Sequence, residues 1–425
     1  MSKTKTKEGS VALLLSVLVS ALYFTSYATR INFSAVMAEM ISQEVLNKEQ
    51  AGIIGSAMFF TYGFGQLVSG ILGDRISAHR IICTGLVTTI CCNFLMPFVE
   101  DPVLMAFVWG VNGVAQAFFW PPIVKLMTRH LNEAEYARCG IFISVGLNSA
   151  TVLVYAIVPV FIKIFDWRSA FISSAIWAFI FFFIWIFGYR EVERRRVHKQ
   201  VDRHVGTDET PAAPQKEYKL GRLLIVSGVC FIMGAITMQG YLRDGIQSWL
   251  PTFFTEVFSW SSSSAIFSNV IIPIFNLLVT LFATAMYRKV FKNEVVTALV
   301  FFIATFALCI LFAVFFGSSP IMCLVIAALI TGFIHGVNSM LTTFMSRRFA
   351  PYGKAATASG VTNACTYIGS TVASYGIAFT AENFGWKMTI ISWAGIALVG
   401  AVLIVIGLPR FNRFIKDTEK LIAQQ

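Results

Sequence analysis

The stretch VALLLSVLVSALYFTSYATRINFSAVM, residues 11–37, carries one charged side chain, Arg30, in a run otherwise apolar enough to cross a bilayer. About 20 helical residues span a hydrocarbon core of ~30 Å. A charge at that depth costs at least ~2.5–3.5 kcal/mol on insertion scales, so an intramembrane arginine reads by default as functional. A second such arginine, Arg243, follows 213 positions later in another long apolar stretch. Two cations at equivalent places in two halves of one chain predict a membrane carrier whose central cavity takes an anion.

The rest of the chain agrees. Of its 425 residues 56% are hydrophobic and 13% charged, against roughly 25% charged in a soluble domain. Segments of ~10 alternating residues, the mark of a membrane barrel, are not visible. The pattern predicts an all-α polytopic protein of twelve transmembrane helices. A basic, Thr-Pro-Ala-Ala-Pro-containing segment at 190–220 separates a six-helix half (1–189) from a second (221–410), with a polar tail at 411–425. The Lys-bearing N-terminus opens a run too long for a signal peptide and reads as an uncleaved first span.

Charge placement sets the expected orientation. Of 33 Lys and Arg, only Lys48, Lys163, Arg168 and Lys387 fall in one set of loops; besides Arg30 and Arg243, the other 27 fall in the opposite set or the tails. The positive-inside rule then puts both termini in the cytoplasm. The net charge of +11 is directed at the anionic leaflet of the bilayer, not at nucleic acid. The eight cysteines read as small packing residues, and no zinc-ligand spacing or metal site is apparent.

Five stretches carry a resemblance. The loop Gly70-Ile-Leu-Gly-Asp74-Arg75-Ile-Ser-Ala-His79-Arg80 resembles the signature of the major facilitator superfamily, with Ser77 in place of a Gly and His79 at a basic position. Tyr27-Ala-Thr-Arg30-Ile-Asn32-Phe33, Trp120-Pro121-Pro122 and Arg243-Asp-Gly245-Ile246-Gln-Ser-Trp249-Leu-Pro251 resemble motifs of that superfamily's organophosphate:phosphate antiporter family, which includes glycerol-3-phosphate and hexose-phosphate transporters. The small residues Ala356 to Gly360 are similar to that family's eleventh span. The resemblance implies that Arg30 and Arg243 bind phosphate from opposite halves. It also implies exchange of an organic phosphate for inorganic phosphate by rocking of the halves, with Asp74, Arg75 and Arg80 at the inner gate. Two positions depart from the glycerol-3-phosphate-transporting members: Gln66 stands where they carry a Lys, and Leu147 where they carry a His.

The residues support an anion site on their own terms. A guanidinium stays charged when desolvated and offers a bidentate fork to phosphate. Two unpaired guanidiniums repel, so a loaded cavity closes more readily than an empty one, and exchange follows. Neighbouring helix positions point ~100° apart, so Arg243 and Asp244 are not expected to pair tightly. Asp244 is then available for a coupling role, such as carrying a proton. Helical spacing adds Tyr27, Gln66, Trp120, Asn148, Gln239 and His335 as cavity-lining candidates. First-span residues 32–34 are taken to continue the helix past Arg30. No enzyme constellation and no cofactor site is evident. The competing readings are a proton-coupled carrier of another organic anion, a carboxylate or sugar acid, and a transporter-like sugar-phosphate sensor. Expected setting and state are a monomer in a bacterial-type plasma membrane.

Overall fold

The computed structural model describes residues 2–201, 221, 224, 227–352 and 355–423, and these are helical with no strand. Nine helices among them are long and apolar enough to cross a membrane. The last of these, within Ala355–Ala423, turns at Gly385, whose φ of 77° only glycine adopts freely, and so supplies the eleventh and twelfth spans. The second and seventh spans, Lys48–Arg75 and Val229–Phe258, complete twelve helices in two six-helix halves. The seventh is less apolar because it carries Gln239, Arg243, Asp244 and Gln247.

The turns explain where the spans begin. Asn47 accepts from the Gln50 amide and Gln50 returns a bond to the Asn47 amide. Asn132 and Glu135 repeat this reciprocal cap ahead of the fifth span, Glu133–Ile164. Asp101 caps the fourth span and Ser319 the tenth, each followed by a proline whose missing N–H is no loss at a helix start. Each such cap satisfies amides that would otherwise lie bare at the bilayer edge.

The same pairs of helices pack in both halves. First packs on fifth as seventh packs on eleventh, and second on fourth as eighth on tenth. Gly146 approaches the Ser20 carbonyl in one half and Gly369 the Thr237 carbonyl in the other, too close for any side chain. Small residues at such crossings let membrane helices pack where no hydrophobic drive exists.

Of the departures from regular helix, those in the first and sixth spans bear on the site and the linker. The first span is broken: Ser2–Ala28 ends, residues 29–31 form a turn, and Asn32–Ser42 resumes. The sixth, Arg168–Val201, runs on as helix into the start of the basic segment; residues 202–220 of that segment lie outside the described residues.

The halves meet along the second and eleventh spans. Ser56 Oγ donates to the Thr371 carbonyl at 2.8 Å, and Asn363 Nδ2 donates to Gln66 Oε1 at 2.8 Å. They also meet at the end of the bundle that carries Lys48. There Lys48 of one half reaches Glu256 at 3.0 Å and Glu382 at 2.8 Å in the other, and Trp386 Nε1 donates to Glu256 at 2.8 Å.

Candidate functional site

The break in the first span is built by side chains of three other helices. Ending a helix inside a bilayer leaves carbonyls without partners, and such breaks survive only where protein re-satisfies them. The Thr29 carbonyl accepts from both Asn93 Nδ2 and Asn112 Nδ2, each at 3.1 Å. Ser174 Oγ donates to the Ala28 carbonyl at 3.1 Å. Asn32 Nδ2 donates to Asn93 Oδ1 at 2.7 Å, and Gln116 links Ser26 at 2.6 Å to the Thr29 hydroxyl at 2.9 Å. Asn32, Asn93, Asn112 and Gln116 are all buried. The expectation of a continuous helix past Arg30 is therefore corrected: Asn32 belongs to this junction, while Ser34 faces the cavity and donates to Ser248 at 3.4 Å.

From that turn Arg30 enters a cavity of about 110 Å³ between the two halves. Its guanidinium lies 4.2 Å from the Tyr27 ring centroid and 5.0 Å from that of Tyr62. Among the described residues no carboxylate pairs with it. Aromatic faces attract a guanidinium without neutralising it.

Arg243 enters the same cavity from an unbroken helix in different company. Its Nε and Nη2 donate to the two carboxylate oxygens of Asp244, both at 2.7 Å. Its Nη1 donates to Asn338 Oδ1 at 3.3 Å. Ser370 Oγ donates to Asp244 Oδ2 at 2.6 Å. The expectation that Arg243 and Asp244 do not pair is thus overturned. Their Cβ atoms diverge, but the long arginine stem swings the guanidinium back. Both side chains are largely buried, 11% and 17% exposed, so each charge gains more from the other than from solvent. The Arg243 guanidinium also stands 5.7 Å from the Tyr367 ring, and Tyr367 meets Tyr62 edge-on with centroids 4.5 Å apart. Arg30, Tyr62, Tyr367 and Arg243 therefore form a chain of contacts from one half to the other.

The remaining candidates divide. Tyr27, Asn148, His335 and Asp244 line the cavity with the two arginines. Gln66 does not; it is engaged with Asn363 beyond the tyrosine pair. Gln239 is fully buried beside Thr366, whose hydroxyl donates to it at 3.5 Å. Trp120 packs on Tyr23 at 5.3 Å, also off the cavity. Arg80 is exposed at a helix start; the side chains of Asp74 and Arg75 lie outside the described residues. Among the lining residues not singled out from the sequence are Trp109, Gln247's neighbour Ser248, and Asn276. Asn276 Oδ1 and His335 Nε2 are buried with no hydrogen-bond partner. The signal for Asn276 was present, since it is a lone amide in the apolar run of Ile271–Met286. Among the described residues no three metal-ligating side chains gather. A larger groove of about 780 Å³ lies near the Lys48 end, but Lys163 is its only charged side chain.

A twelve-helix bundle in two matching halves, with a polar, cation-bearing cavity at their seam, defines a membrane carrier. The sequence profile of the Major Facilitator Superfamily matches residues 19–374, and the chain belongs to that superfamily. It is 24% identical over 437 residues to a probable hexose phosphate transport protein of Chlamydia pneumoniae, covering 98% of this chain and 94% of the relative. It is 24% identical over 378 residues to the glycerol-3-phosphate transporter of Bacillus subtilis, covering 86% and 85%. The fold is also that of the nucleoside transporter NupG, with a TM-score of 0.68 at 17% identity over 93% of this chain and 99% of that one.

Proposed function

We propose that this protein imports an organic phosphate of the glycerol phosphate or sugar phosphate type, in exchange for inorganic phosphate, by alternating access of a cavity held between its two halves. The observation that carries the reading is the placement of Arg30 and Arg243 in one buried cavity, one from each half. Full-length relatives named for hexose phosphate and glycerol-3-phosphate transport support the substrate class. A phosphate bound to both guanidiniums draws the halves together, so its differential affinity for the closed state drives the change. Tyr27, Asn148 and His335 contact the bound anion, and Arg30 and Arg243 supply its charge.

In this reading the Lys48 end faces outward and the termini lie in the cytoplasm of a bacterial-type plasma membrane, as the positive-inside rule requires. The protein works as a monomer, with residues 190–220 linking halves 1–189 and 221–410. Asp74, Arg75 and Arg80 form the inner gate, and the Lys48–Glu256–Glu382 cluster closes the outer side.

One observation favours a second reading. Asp244 is an acid in contact with a binding arginine, an arrangement suited to proton-coupled transport of another organic anion. The test is radiolabelled phosphate exchange in proteoliposomes. Exchange that is lost in Arg30→Ala and Arg243→Ala, and competed by unlabelled organic phosphates, supports the exchanger. Anion uptake that needs a proton gradient, with no phosphate exchange, replaces it with the second reading.

A further inference from the structure

We infer that Asp244 is a resident counter-anion that stands in for the carried anion at Arg243, so that the unloaded carrier can change conformation and exchange is not obligatory. This rests on the phosphate-carrier reading above.

The Asp244 carboxylate presents two oxygens to the Arg243 fork, both at 2.7 Å, the bidentate arrangement an incoming phosphate or carboxylate would make. Substrate and Asp244 therefore compete for one guanidinium. Ser370, which donates to Asp244 Oδ2 at 2.6 Å, sits on the eleventh span and can keep the carboxylate when Arg243 turns to substrate. Asp244 belongs to the same half and the same helix as Arg243, so the pair travels intact when the halves move.

A carrier is forced to exchange when its empty cavity holds charges too costly to enclose. Breaking a buried pair leaves such a charge, whereas an intact pair does not. Here the fixed charges lining the cavity are Arg30, Arg243 and Asp244, so the unloaded site carries one net positive charge, not two. That remaining charge, Arg30, rests on the faces of Tyr27 and Tyr62. The chief electrostatic barrier to reorientation without cargo is absent on the Arg243 side.

The test uses proteoliposomes loaded with labelled inorganic phosphate, with valinomycin and equal potassium on both sides to clamp the voltage. Efflux is measured into medium with phosphate (exchange) and without it (net flux). The wild type is expected to show net efflux within roughly tenfold of exchange. Asp244→Asn is expected to lower the ratio of net efflux to exchange at least tenfold, and Asp244→Glu to restore it. Because the ratio is taken on one preparation, loss of folded protein cancels, and a purely structural role would lower both fluxes together. Exchange with net efflux below about a tenth of it in the wild type overturns the inference and leaves the phosphate exchanger standing. A ratio unmoved in Asp244→Asn overturns it too. Neither flux in the wild type overturns the phosphate reading and this inference with it.

Discussion

Arg30 and Arg243 occupy equivalent places in two matching halves, yet their surroundings differ in kind. Arg30 leaves a break in the first span and lies against the faces of Tyr27 and Tyr62. Arg243 leaves a continuous helix and is held by a carboxylate and an amide. Pseudo-symmetry fixes where each backbone sits, because the same helices pack in both halves. It does not fix the charge around each arginine, which single residues decide. On the proposed reading the halves have separate tasks: Arg30 is a standing receptor for the anion, and Arg243 is one that must first give up Asp244.

The largest expected effect should separate the two arginines. Arg243→Ala leaves Asp244 as an unpaired buried carboxylate, at a cost of about 3–5 kcal/mol in stability, and turns the cavity against anions. Phosphate exchange is expected to fall at least ~100-fold, since removing one partner of a buried charge contact costs about 2–5 kcal/mol. Arg30→Ala leaves no such orphan, and its exchange is expected to fall ~30-fold with a smaller change in melting temperature. Initial exchange rates and thermal unfolding of the two variants check this, and equal losses on both measures would break the comparison.

A double substitution sharpens it. Arg243→Ala with Asp244→Ala removes the orphan and is expected to melt higher than Arg243→Ala alone by about 1–3 kcal/mol. A double variant no more stable than the single one would mean that the pair carries little. The Arg30 side depends instead on its junction. Asn112→Leu strips one donor from the Thr29 carbonyl while Asn93 still bonds it, so the expected loss is about 1 kcal/mol. Asn93→Leu also unseats Asn32 and is expected to lose about 2–3 kcal/mol by the same measurement. Smallest is Lys48→Ala at the partly exposed cluster between halves. Its expected effect on unfolding is at most ~1 kcal/mol, visible mainly as faster accessibility of a cysteine placed near Glu256.

Much of this was legible in the sequence. The twelve spans, the two halves and the two cavity arginines follow from apolar length, from loop charge and from an offset of equivalent residues. Tyr27 fell on the cavity because helical spacing places it with Arg30, and Asn148 and His335 because each belongs to a polar stripe of its own span that faces the same seam. Spacing misled for Gln66, Gln239 and Trp120. Gln239 and Gln66 share a helix face with the lining residues Arg243 and Phe59 but lie at another depth, which periodicity does not report, and Trp120 follows a turn at 118–119 that parts it from Trp109. The break at residues 29–31 was hidden because its cause lies elsewhere in the chain: Asn93 and Asn112 are 64 and 83 residues away. The Arg243–Asp244 pair was missed for a different reason. Backbone direction governs where a Cβ points, but a long side chain in a largely buried site is directed by the nearest opposite charge.

The most direct measurement is phosphate binding to purified protein, followed through Trp109 in the cavity wall by tryptophan fluorescence, for the wild type, Arg30→Ala, Arg243→Ala and the double variant. The account predicts that each single change raises Kd by roughly 30-fold or more, about 2 kcal/mol. It also predicts that the double change adds less than the sum, because one anion is held by both guanidiniums. Wild-type affinity in either single variant would show that the two arginines do not share a ligand, and the central claim would fall.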